Sequence, residues 1–345
     1  MAHVTMKDVA RLARVSPRTV SNVVNDYTHV SDDVRRRVVA AIDELGYRPN
    51  IVARNLRIGR TGLLALIVPE IDVPYFSELA RAVIDAAADY GYRVMIDQTG
   101  HDHERERQLL TGHDRTMLFD GILFSPLVTQ AEIAEMDSDA TLPMILLGEH
   151  AFTGRFDHIA IDNTQAAYEA THHLVELGRR RIAAIGTQPK ETYQTPQQRT
   201  AGYFAALDDA ALPHEEELVI PAATYHRSDG YDAARRLLAM DQPPDAIFCY
   251  SDLLAMGAMR AVQDARLRIP DDVAVIGIDD IEEGRYSTPS LSTVSLDKDF
   301  IATRAVERLV ERIEKPELDA QQIVAPHTLI VRDSTRPSPS DPASS

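Results

Sequence analysis

The run at residues 16–25, Ser-Pro-Arg-Thr-Val-Ser-Asn-Val-Val-Asn, constrains the fold more than any other stretch of the chain. Ser16 is a good helix N-cap, because its hydroxyl can accept a hydrogen bond from a free backbone N–H, and Pro17 suits the first helical position. Three valines recur at helical spacing and form one apolar face: Val20, Val23 and Val24. The remaining residues are polar, so the run predicts a short helix with one buried and one polar face.

The neighbouring residues predict two more short helices. Residues 7–13 form an apolar–polar pattern of helical period, and only Arg14 and Val15 separate this pattern from the run at 16–25. A third helix is predicted after Ser31, which can act as its cap, and it should end at Gly46. Two helices joined by a tight turn, with a polar second helix, are typical of a helix-turn-helix unit.

Charge is distributed unevenly along the chain. The net charge is −17 overall, yet residues 1–60 hold eleven Lys and Arg against six Asp and Glu, a net charge of +5 that leaves −22 for the rest. A basic head on an acidic body is the electrostatic pattern of a DNA-binding domain joined to a domain that avoids DNA. The chain has one cysteine, Cys249, no apolar run of membrane-spanning length and no secretory signal core near Met1, so we expect a cytoplasmic protein without a membrane partner.

Beyond residue 61 the pattern changes to alternating strands and helices, which is typical of parallel sheets built from right-handed βαβ units. Strands are predicted at 62–68, 92–96, 121–124, 143–147, 181–185, 246–250 and 273–278. Helices are predicted at 76–90, 103–117, 130–136, 163–177, 197–210, 229–240 and 252–265. Because the pattern restarts after Asp162, we predict two similar lobes with a cleft between them, and residues 291–331 should cross between the lobes again.

Ligands of open α/β sheets bind at the carboxyl ends of the strands. This rule selects residues 69–76, 148–149, 251–252 and 279–280. Arg199 near the start of a predicted helix can clamp paired oxygen atoms, and three aromatic side chains can cover the flat face of a ring: Tyr75, Phe76 and Tyr225. Polar clamps beside aromatic walls suit sugars and nucleobases equally, whereas core packing or turn capping would explain the same residues without a ligand.

Three stretches resemble the LacI/GalR family of bacterial transcriptional regulators: VTMKDVARLARVSPRTVSNVVND, HVSDDVRRRVVAAIDELGYRPNIVARNLR and the later IGIDD. The resemblance runs from about Val4 to Arg332. It implies an all-α helix-turn-helix head followed by an α/β, two-lobed, periplasmic-binding-protein-like domain with parallel sheets. We therefore expect a DNA-binding domain at 1–46, a hinge helix and linker at 47–61, an effector-binding and dimerisation domain at 62–333, and a disordered tail at 334–345.

The resemblance also implies which residues meet DNA. The helix at Ser16 would lie in the major groove, with Arg18 and Asn22 reading base edges, while Pro17 occupies a base-reading place without a hydrogen-bonding side chain. Residues that match contacts to the DNA backbone are Thr5, Ser16, Thr19, Ser21, Asn25, His29 and Ser31. The hinge contributes Asn50, Ala53 and Leu56, and the leucine would wedge into the minor groove unless it is an ordinary linker residue.

For the cleft, the resemblance implies a small-molecule effector, most often a sugar. The positions that match the effector site of the family are Tyr75, Phe76, Asp162, Arg199, Tyr225, Ser251 and Asp279. Two departures leave the effector open: many relatives carry Asn where Ser251 stands, and residues 187–196 have no clear counterpart. We therefore predict a homodimeric repressor of sugar-utilisation genes that binds a pseudo-palindromic operator and is released from it by a small-molecule effector. The sequence does not distinguish this induction from co-repression, or a dimer from a tetramer.

Two other classes of protein fit less well. An enzyme would need a nucleotide fingerprint, a metal site or a nucleophile with its base, and the sequence offers none of these, so we expect no catalytic residues, no metal and no cofactor. A free sugar-binding protein would have to be exported and would have no use for residues 1–57.

Overall fold

The computed structural model of the chain describes residues 4–24, 27, 29–47, 60–100, 102–111, 118–126, 142–148, 156–188 and 194–336. These residues form two compact units, Met1–Thr61 and Gly62–Ser345. The predicted helix at 130–136 lies outside the described residues, as do 112–117 of the helix predicted at 103–117, almost all of the hinge at 47–61, and 337–345 of the tail.

The described residues of the first unit form three helices, α1 (Met6–Ala13), α2 (Pro17–Val24) and α3 (Asp32–Leu45). Val9, Val20 and Val38, one from each helix, are fully buried in its core. Gly46 ends α3 in the left-handed conformation (φ 60°), as predicted. Ser31 occupies the predicted N-cap position of α3, but its side chain makes no capping hydrogen bond, and its backbone carbonyl accepts the Arg35 N–H at 3.0 Å.

The second unit contains two six-stranded sheets. The first sheet is parallel, has the order β11-β5-β4-β3-β1-β2, and consists of β1 (Leu63–Val68), β2 (Arg93–Gln98), β3 (Gly121–Phe124), β4 (Met144–Leu147), β5 (Asp157–Ile161) and β11 (Gln322–Ala325). The second has the order β12-β10-β9-β8-β6-β7 and consists of β6 (Ile182–Thr187), β7 (Val219–Pro221), β8 (Ala246–Cys249), β9 (Ala274–Ile278), β10 (Ser292–Leu296) and β12 (His327–Ile330). Among the described strands, only β12 runs antiparallel to its neighbour, β10.

Eight helices accompany these sheets in the described residues. They are α4 (Pro74–Asp89), α5 (His103–Thr111), α6 (Asn163–Glu176), α7 (Gln194–Asp209), α8 (Arg227–Leu238), α9 (Asp252–Asp264), α10 (Glu282–Tyr286) and α11 (Lys298–Glu314), with a 3₁₀ turn at Glu216–Leu218. Each sheet with its helices forms one lobe. Among the described residues no helix is long and apolar enough to cross a membrane.

The predicted strands all occur, within a few residues of their predicted bounds. The prediction that residues 291–331 cross between the lobes is also confirmed. After β10 in the second sheet, α11 packs against β3, β4 and β5, β11 then joins the first sheet, and β12 returns to the second. Together with the earlier crossing between β5 and β6, these two crossings tie the lobes into one unit, with a cleft between them.

Strand β5 was not predicted, because it begins with two polar residues, Asp157 and His158. Both are buried, and Asp157 accepts hydrogen bonds from Nε of Arg308 and of Arg312, each at 2.6 Å. Two guanidinium partners and the Gln321 backbone N–H at 3.0 Å satisfy the carboxylate, which makes its burial tolerable. The two arginines lie about 150 residues away on α11, so no local sequence pattern indicates this strand.

The predicted start of the disordered tail is wrong. Ser334 and Thr335 are buried, and the Ser334 hydroxyl donates to the Val275 carbonyl at 2.6 Å. The Thr335 hydroxyl lies 2.7 Å from that of Ser292 and 3.0 Å from Nε2 of His173. The ordered second unit therefore includes residues 334–336.

We expect Gly202→Ala to destabilise the second unit by about 1–3 kcal/mol, because overpacking forces α6 and α7 apart. Gly202 lies where these helices approach most closely: an added Cβ would come 2.1 Å from the Thr164 carbonyl oxygen and 2.8 Å from the Tyr168 nitrogen. Urea unfolding followed by circular dichroism measures the effect. Ala201→Ser, at the adjacent exposed position, is the control and should change the free energy of unfolding little. Equal stabilities of the two variants would contradict the packing argument.

Candidate functional site

The polar face of α2 is exposed in the first unit. Ser16 accepts the Thr19 backbone N–H at 3.1 Å, and their hydroxyl oxygens lie 2.8 Å apart, so the predicted cap is present. Pro17 and Arg18 are exposed, and Thr19 and Asn22 are half-buried. Ser21 is an exception, because it is only 7% exposed and faces the core side of the helix.

The other predicted contact residues of this unit surround α2 in sequence. Thr5 donates its hydroxyl to Asp8 at 2.7 Å and caps α1, and it remains exposed. His29 and Ser31 are exposed as well, and the His29 ring packs edge-on against Tyr27 at 5.7 Å between centroids. The four other predicted contact residues lie outside the described residues: Asn25, Asn50, Ala53 and Leu56.

Two arginines of α3 hold this unit together. The guanidinium of Arg37 donates to the Ala13 carbonyl at 3.3 Å, and that of Arg35 donates to the Tyr27 carbonyl at 3.1 Å. Arg36 between them is exposed. All three guanidinium groups contribute positive charge to this unit, although those of Arg35 and Arg37 also donate to backbone carbonyls of neighbouring segments.

A cavity of about 170 Å³ lies in the cleft between the two lobes. Six of the seven predicted effector residues line it: Tyr75, Phe76, Arg199, Tyr225, Ser251 and Asp279. They come from both lobes, and two of them, Ser251 and Asp279, follow the carboxyl ends of β8 and β9, as the rule for open sheets requires. A cavity of this size accommodates a small molecule rather than a peptide or a nucleic acid.

Aromatic side chains from both lobes line the cleft. Tyr75 and Phe76, in the first turn of α4, pack edge to face with centroids 5.1 Å apart. Tyr225 lies on the other lobe in the left-handed region (φ 59°), and its hydroxyl donates to the Gly186 carbonyl. The fixed hydroxyl of Tyr225 holds its ring in place, so the cleft presents preformed apolar faces.

Arg199 connects three elements at the cleft. It is 7% exposed, its Nε donates to Asn163 Oδ1 at 2.9 Å, and one terminal nitrogen donates to the Tyr250 carbonyl. Because α7 carries Arg199, α6 carries Asn163 and Tyr250 follows β8, this guanidinium fixes the starts of two helices against a strand end. The side chain therefore has a structural role beside any contact with a ligand.

Asp279 is the negatively charged group of the second lobe that faces the cleft. It follows β9 with a φ of 123°, and its carboxylate accepts a hydrogen bond from the Asp252 backbone N–H. Burial raises the pKa of Asp279 to about 6, although nearby Arg199 and Lys298 act in the opposite direction. When this buried carboxyl group is ionised, it is a strong acceptor for hydroxyl or N–H groups of a ligand.

Asp280 faces away from the cleft. Its carboxylate accepts from Arg332 at 2.5 Å, Arg285 at 2.9 Å and Ser295 at 2.9 Å. Burial acts to raise the pKa of Asp280, but these hydrogen bonds outweigh burial and lower it. The adjacent aspartates thus have different environments, and Asp280 anchors the turn that presents Asp279.

Asp162 does not line the cleft, which corrects the prediction for this residue. It is exposed and caps α6, its carboxylate accepting the Gln165 backbone N–H at 2.9 Å. Its neighbour Asn163 is 5% exposed and lines the cavity instead. The carboxyl end of β5 would have pointed to Asn163, but that strand was itself missed.

Sequence reasoning also missed several polar residues of the lining: Glu70, Ser125, Gln188 and Thr195. Gln188 follows β6, which extends to Thr187 rather than to the predicted residue 185, and Thr195 belongs to α7, which starts three residues earlier than predicted. Glu70 was within the selected stretch 69–76 but was not singled out. The predicted residue Ser251 both lines the cleft and caps α9, accepting the Leu254 N–H at 3.3 Å.

Polar contacts cross the cleft between the lobes. His226 Nε2 of the second lobe lies 3.1 Å from Glu70 Oε2 of the first. Glu78 on α4 accepts the Glu282 backbone N–H at 3.0 Å and the Lys298 ammonium at 2.6 Å. Lys298 also donates to the Asp280 carbonyl at 3.1 Å. These contacts hold the lobes together around the aromatic wall.

Within the described residues, no three His, Cys, Asp or Glu side chains are grouped as a metal ion requires. Cys249 is fully buried, and burial raises the pKa of its thiol well above the usual value. A thiol of this kind is a weak nucleophile.

We expect Asp279→Asn to stabilise the protein at pH 7.5, on the order of 1–3 kcal/mol. The pKa of Asp279 is raised from 3.8 to about 6 in the folded protein, so its ionisation opposes folding. This penalty is absent below pH 4, grows as the pH rises to 6 and is constant above that value. Urea unfolding at pH 5.0, 6.0 and 7.5 should therefore show an advantage of the variant that increases with pH. A difference that does not depend on pH would contradict the proposed ionisation.

Comparison with known proteins finds matches in both units. The lacI family of bacterial regulatory proteins matches residues 5–50, and a periplasmic binding protein-like domain matches residues 171–335. The transcriptional repressor PurR of Erwinia tasmaniensis is 33% identical over 336 residues, which cover 97% of this chain and 98% of PurR. Relatives of this kind are transcriptional regulators, not enzymes.

Two solved structures are similar over nearly the whole chain. The transcriptional regulator CelR in complex with cellobiose is 30% identical, with a TM-score of 0.71 over 96% of this chain and 99% of CelR. The lac repressor dimer bound to operator and the anti-inducer ONPF is 25% identical, with a TM-score of 0.86 over 97% of this chain and 99% of that structure. With a helix-turn-helix head, two parallel-sheet lobes and relatives of the same length, this chain belongs to the LacI family of DNA-binding transcriptional regulators.

Proposed function

We propose that this protein is a homodimeric repressor of sugar-utilisation genes, and that a small sugar bound between its lobes sets its affinity for a pseudo-palindromic operator. The observation that carries the proposal is the cleft, in which preformed aromatic faces from both lobes flank Asp279 and Arg199. Sugars present apolar ring faces and vicinal hydroxyls, and this lining complements both. The CelR structure contains cellobiose, which supports a sugar for this chain as well.

On the DNA side, the proposal assigns base reading to α2. Arg18 is exposed and can form a bidentate contact with guanine, and Asn22 can read adenine. Contacts to the DNA backbone are assigned to the remaining predicted residues of this unit, and to Ser21 only through its small exposed area. Residues 47–61, with Asn50, Ala53 and Leu56, are proposed as the hinge that orders on DNA and inserts Leu56 into the minor groove.

A purine effector is the second candidate. The transcriptional repressor PurR of Erwinia tasmaniensis is 33% identical to this chain. The edge-to-face pair Tyr75–Phe76 could stack a nucleobase, and an Asp and an Asn in the lining could pair with its edge. The size of the cavity suits either ring.

The dimer is proposed to form through the outer face of the first lobe. Strand β2 is the edge of its sheet, and it packs against α4. Three large apolar side chains on these elements are about half exposed: Ile84 (43%), Tyr90 (46%) and Met95 (50%). An apolar edge of this kind favours association with a second copy. The similar lac repressor structure is that of a dimer on its operator, and two-fold symmetry would require two operator half-sites.

We expect Arg18→Ala to weaken binding to the operator by about 1–3 kcal/mol and to relax the preference at one base pair of each half-site. Mobility shifts with the upstream region of the gene and with single-base variants measure both effects. Arg36→Ala removes the same charge from the exposed surface of α3, so it should weaken binding to all duplexes similarly and leave the base preference unchanged. If Arg18→Ala retains the full base preference, the assignment of α2 is wrong.

We expect at least one sugar to raise the melting temperature of the protein and to change its operator affinity in a mobility shift. Monosaccharides, disaccharides, purine bases and nucleosides should be screened under the same conditions. Arg199→Ala should abolish the response while operator binding persists, provided that circular dichroism shows a folded protein. A response to purines alone would establish the second candidate, and loss of folding in the variant would show that Arg199 acts structurally.

A further inference from the structure

Charged side chains in the cleft are unequally distributed between the two signs. Glu70, from the carboxyl end of β1 in the first lobe, and Asp279, from the end of β9 in the second, both line the cavity. Among the described residues of the lining, Arg199 is the only Lys or Arg. The cleft therefore has a net negative lining, with one carboxylate on each side.

Arg199 is shared between the protein and any ligand. Its Nε is bonded to Asn163 and one terminal nitrogen to the Tyr250 carbonyl, so part of its donor capacity already holds the protein together. Lys298 lies nearby, with its ammonium 6.0 Å from the Tyr75 ring centroid, but it is bonded to Glu78 and to the Asp280 carbonyl. A carboxylate or phosphate on the ligand would thus meet one guanidinium, which it would share with the protein, and two carboxylates.

Glu70 is held in position across the cleft. His226 Nε2 lies 3.1 Å from its Oε2, and the Glu70 side chain is 20% exposed and partly buried at the cleft wall. A charge fixed at a low-dielectric wall acts on a ligand more strongly than one on a mobile surface side chain. Glu70 is thus positioned to select ligands by charge as well as by shape.

We propose that Glu70, together with Asp279, excludes anionic effectors, so that the effector is an uncharged polyhydroxylated ring and not a sugar acid or a sugar phosphate. This inference rests on the proposed function, because it concerns the ligand of the same cleft. It assigns to Glu70 a role in selectivity that is separate from the hydroxyl-binding role proposed for Asp279.

The experiment compares matched pairs of sugars that differ in one charged group. Calorimetric titration of the purified full chain measures the affinity for glucose, galactose and xylose, for glucuronate and galacturonate, and for glucose 6-phosphate and xylose 5-phosphate. The neutral member of at least one pair should bind at least ten-fold more tightly than its anionic counterpart. In Glu70→Gln, the ratio of neutral to anionic affinity should fall at least ten-fold, because the amide keeps the shape and removes the charge.

Two control variants separate charge from other effects. Asp232→Asn removes an exposed carboxylate on α8, away from the cleft lining, and should leave the ratio unchanged. His226→Gln removes the imidazole that lies 3.1 Å from the Glu70 carboxylate but leaves this carboxylate, so the preference for the neutral sugar should persist. A loss of preference in His226→Gln equal to that in Glu70→Gln would assign the effect to the contact between the lobes and would overturn the role in charge selection.

The outcomes distinguish this inference from the proposed function. If an anionic sugar binds as tightly as its neutral counterpart, or more tightly, the selectivity proposal is wrong while a sugar effector stands. If no sugar of any charge binds, the proposed sugar effector fails and the selectivity proposal fails with it.

Discussion

The geometry of the cleft depends on the carboxylate of Asp252, which has no exposure to solvent. It accepts the Thr293 hydroxyl at 2.7 Å and the Ile281 backbone N–H at 3.0 Å, and so joins α9 to β10 and to the turn after β9. Burial, followed by the neighbouring charge of Asp279, raises the pKa of Asp252 well above its usual value. Gly277 is required beside it, since an added Cβ would lie 2.2 Å from the Asp252 carboxylate.

This arrangement positions Asp279. The two residues after β9 have positive φ, 123° at Asp279 and 50° at Asp280, a conformation that side chains other than Gly rarely adopt. The turn keeps it because Asp252 binds Ile281 from one side and Arg332 binds Asp280 from the other. Local strain supported by surrounding bonds is common at ligand sites, where it fixes a functional group before the ligand arrives. The free-energy cost of burying Asp279 is thus offset by hydrogen bonds among residues that do not line the cavity.

The same turn is a point of contact between the lobes. Glu78 and Lys298 of the first lobe bind the backbone of Glu282 and Asp280 in the second. Any change in the position of Asp279 therefore bears on α4, which carries both the aromatic pair of the cleft and the apolar surface proposed for dimerisation. Where a ligand and an operator favour different arrangements of such lobes, each weakens the binding of the other by the same factor.

How much of this could be predicted from the sequence differs between elements. Strands such as β1, β3, β8 and β9 are continuous apolar runs. The strand-end rule then selected four of the predicted residues that line the cavity, Tyr75, Phe76, Ser251 and Asp279, whereas Arg199 and Tyr225 were selected for their side-chain chemistry. Strand β5 was missed because its polar start is stabilised by arginines of α11, and with it the sequence could not distinguish Asp162, a cap, from Asn163, a lining residue. A pattern of neighbouring residues cannot show a contact such as that between Asp157 and Arg308, which lie 151 residues apart.

The charge of residues 1–60 shows the same limit of prediction from sequence. The +5 of residues 1–60 correctly indicates attraction to DNA, because the field of a charge acts at a distance whatever hydrogen bonds that charge makes. The field does not reveal which residues read bases, since Arg35 and Arg37 use their guanidinium groups to bind the carbonyls of Tyr27 and Ala13. Arg18 has the same formal charge but is exposed on α2, beside the cap at Ser16. Affinity for DNA in general is therefore a property of composition, whereas preference for one operator depends on the few side chains that folding leaves unengaged.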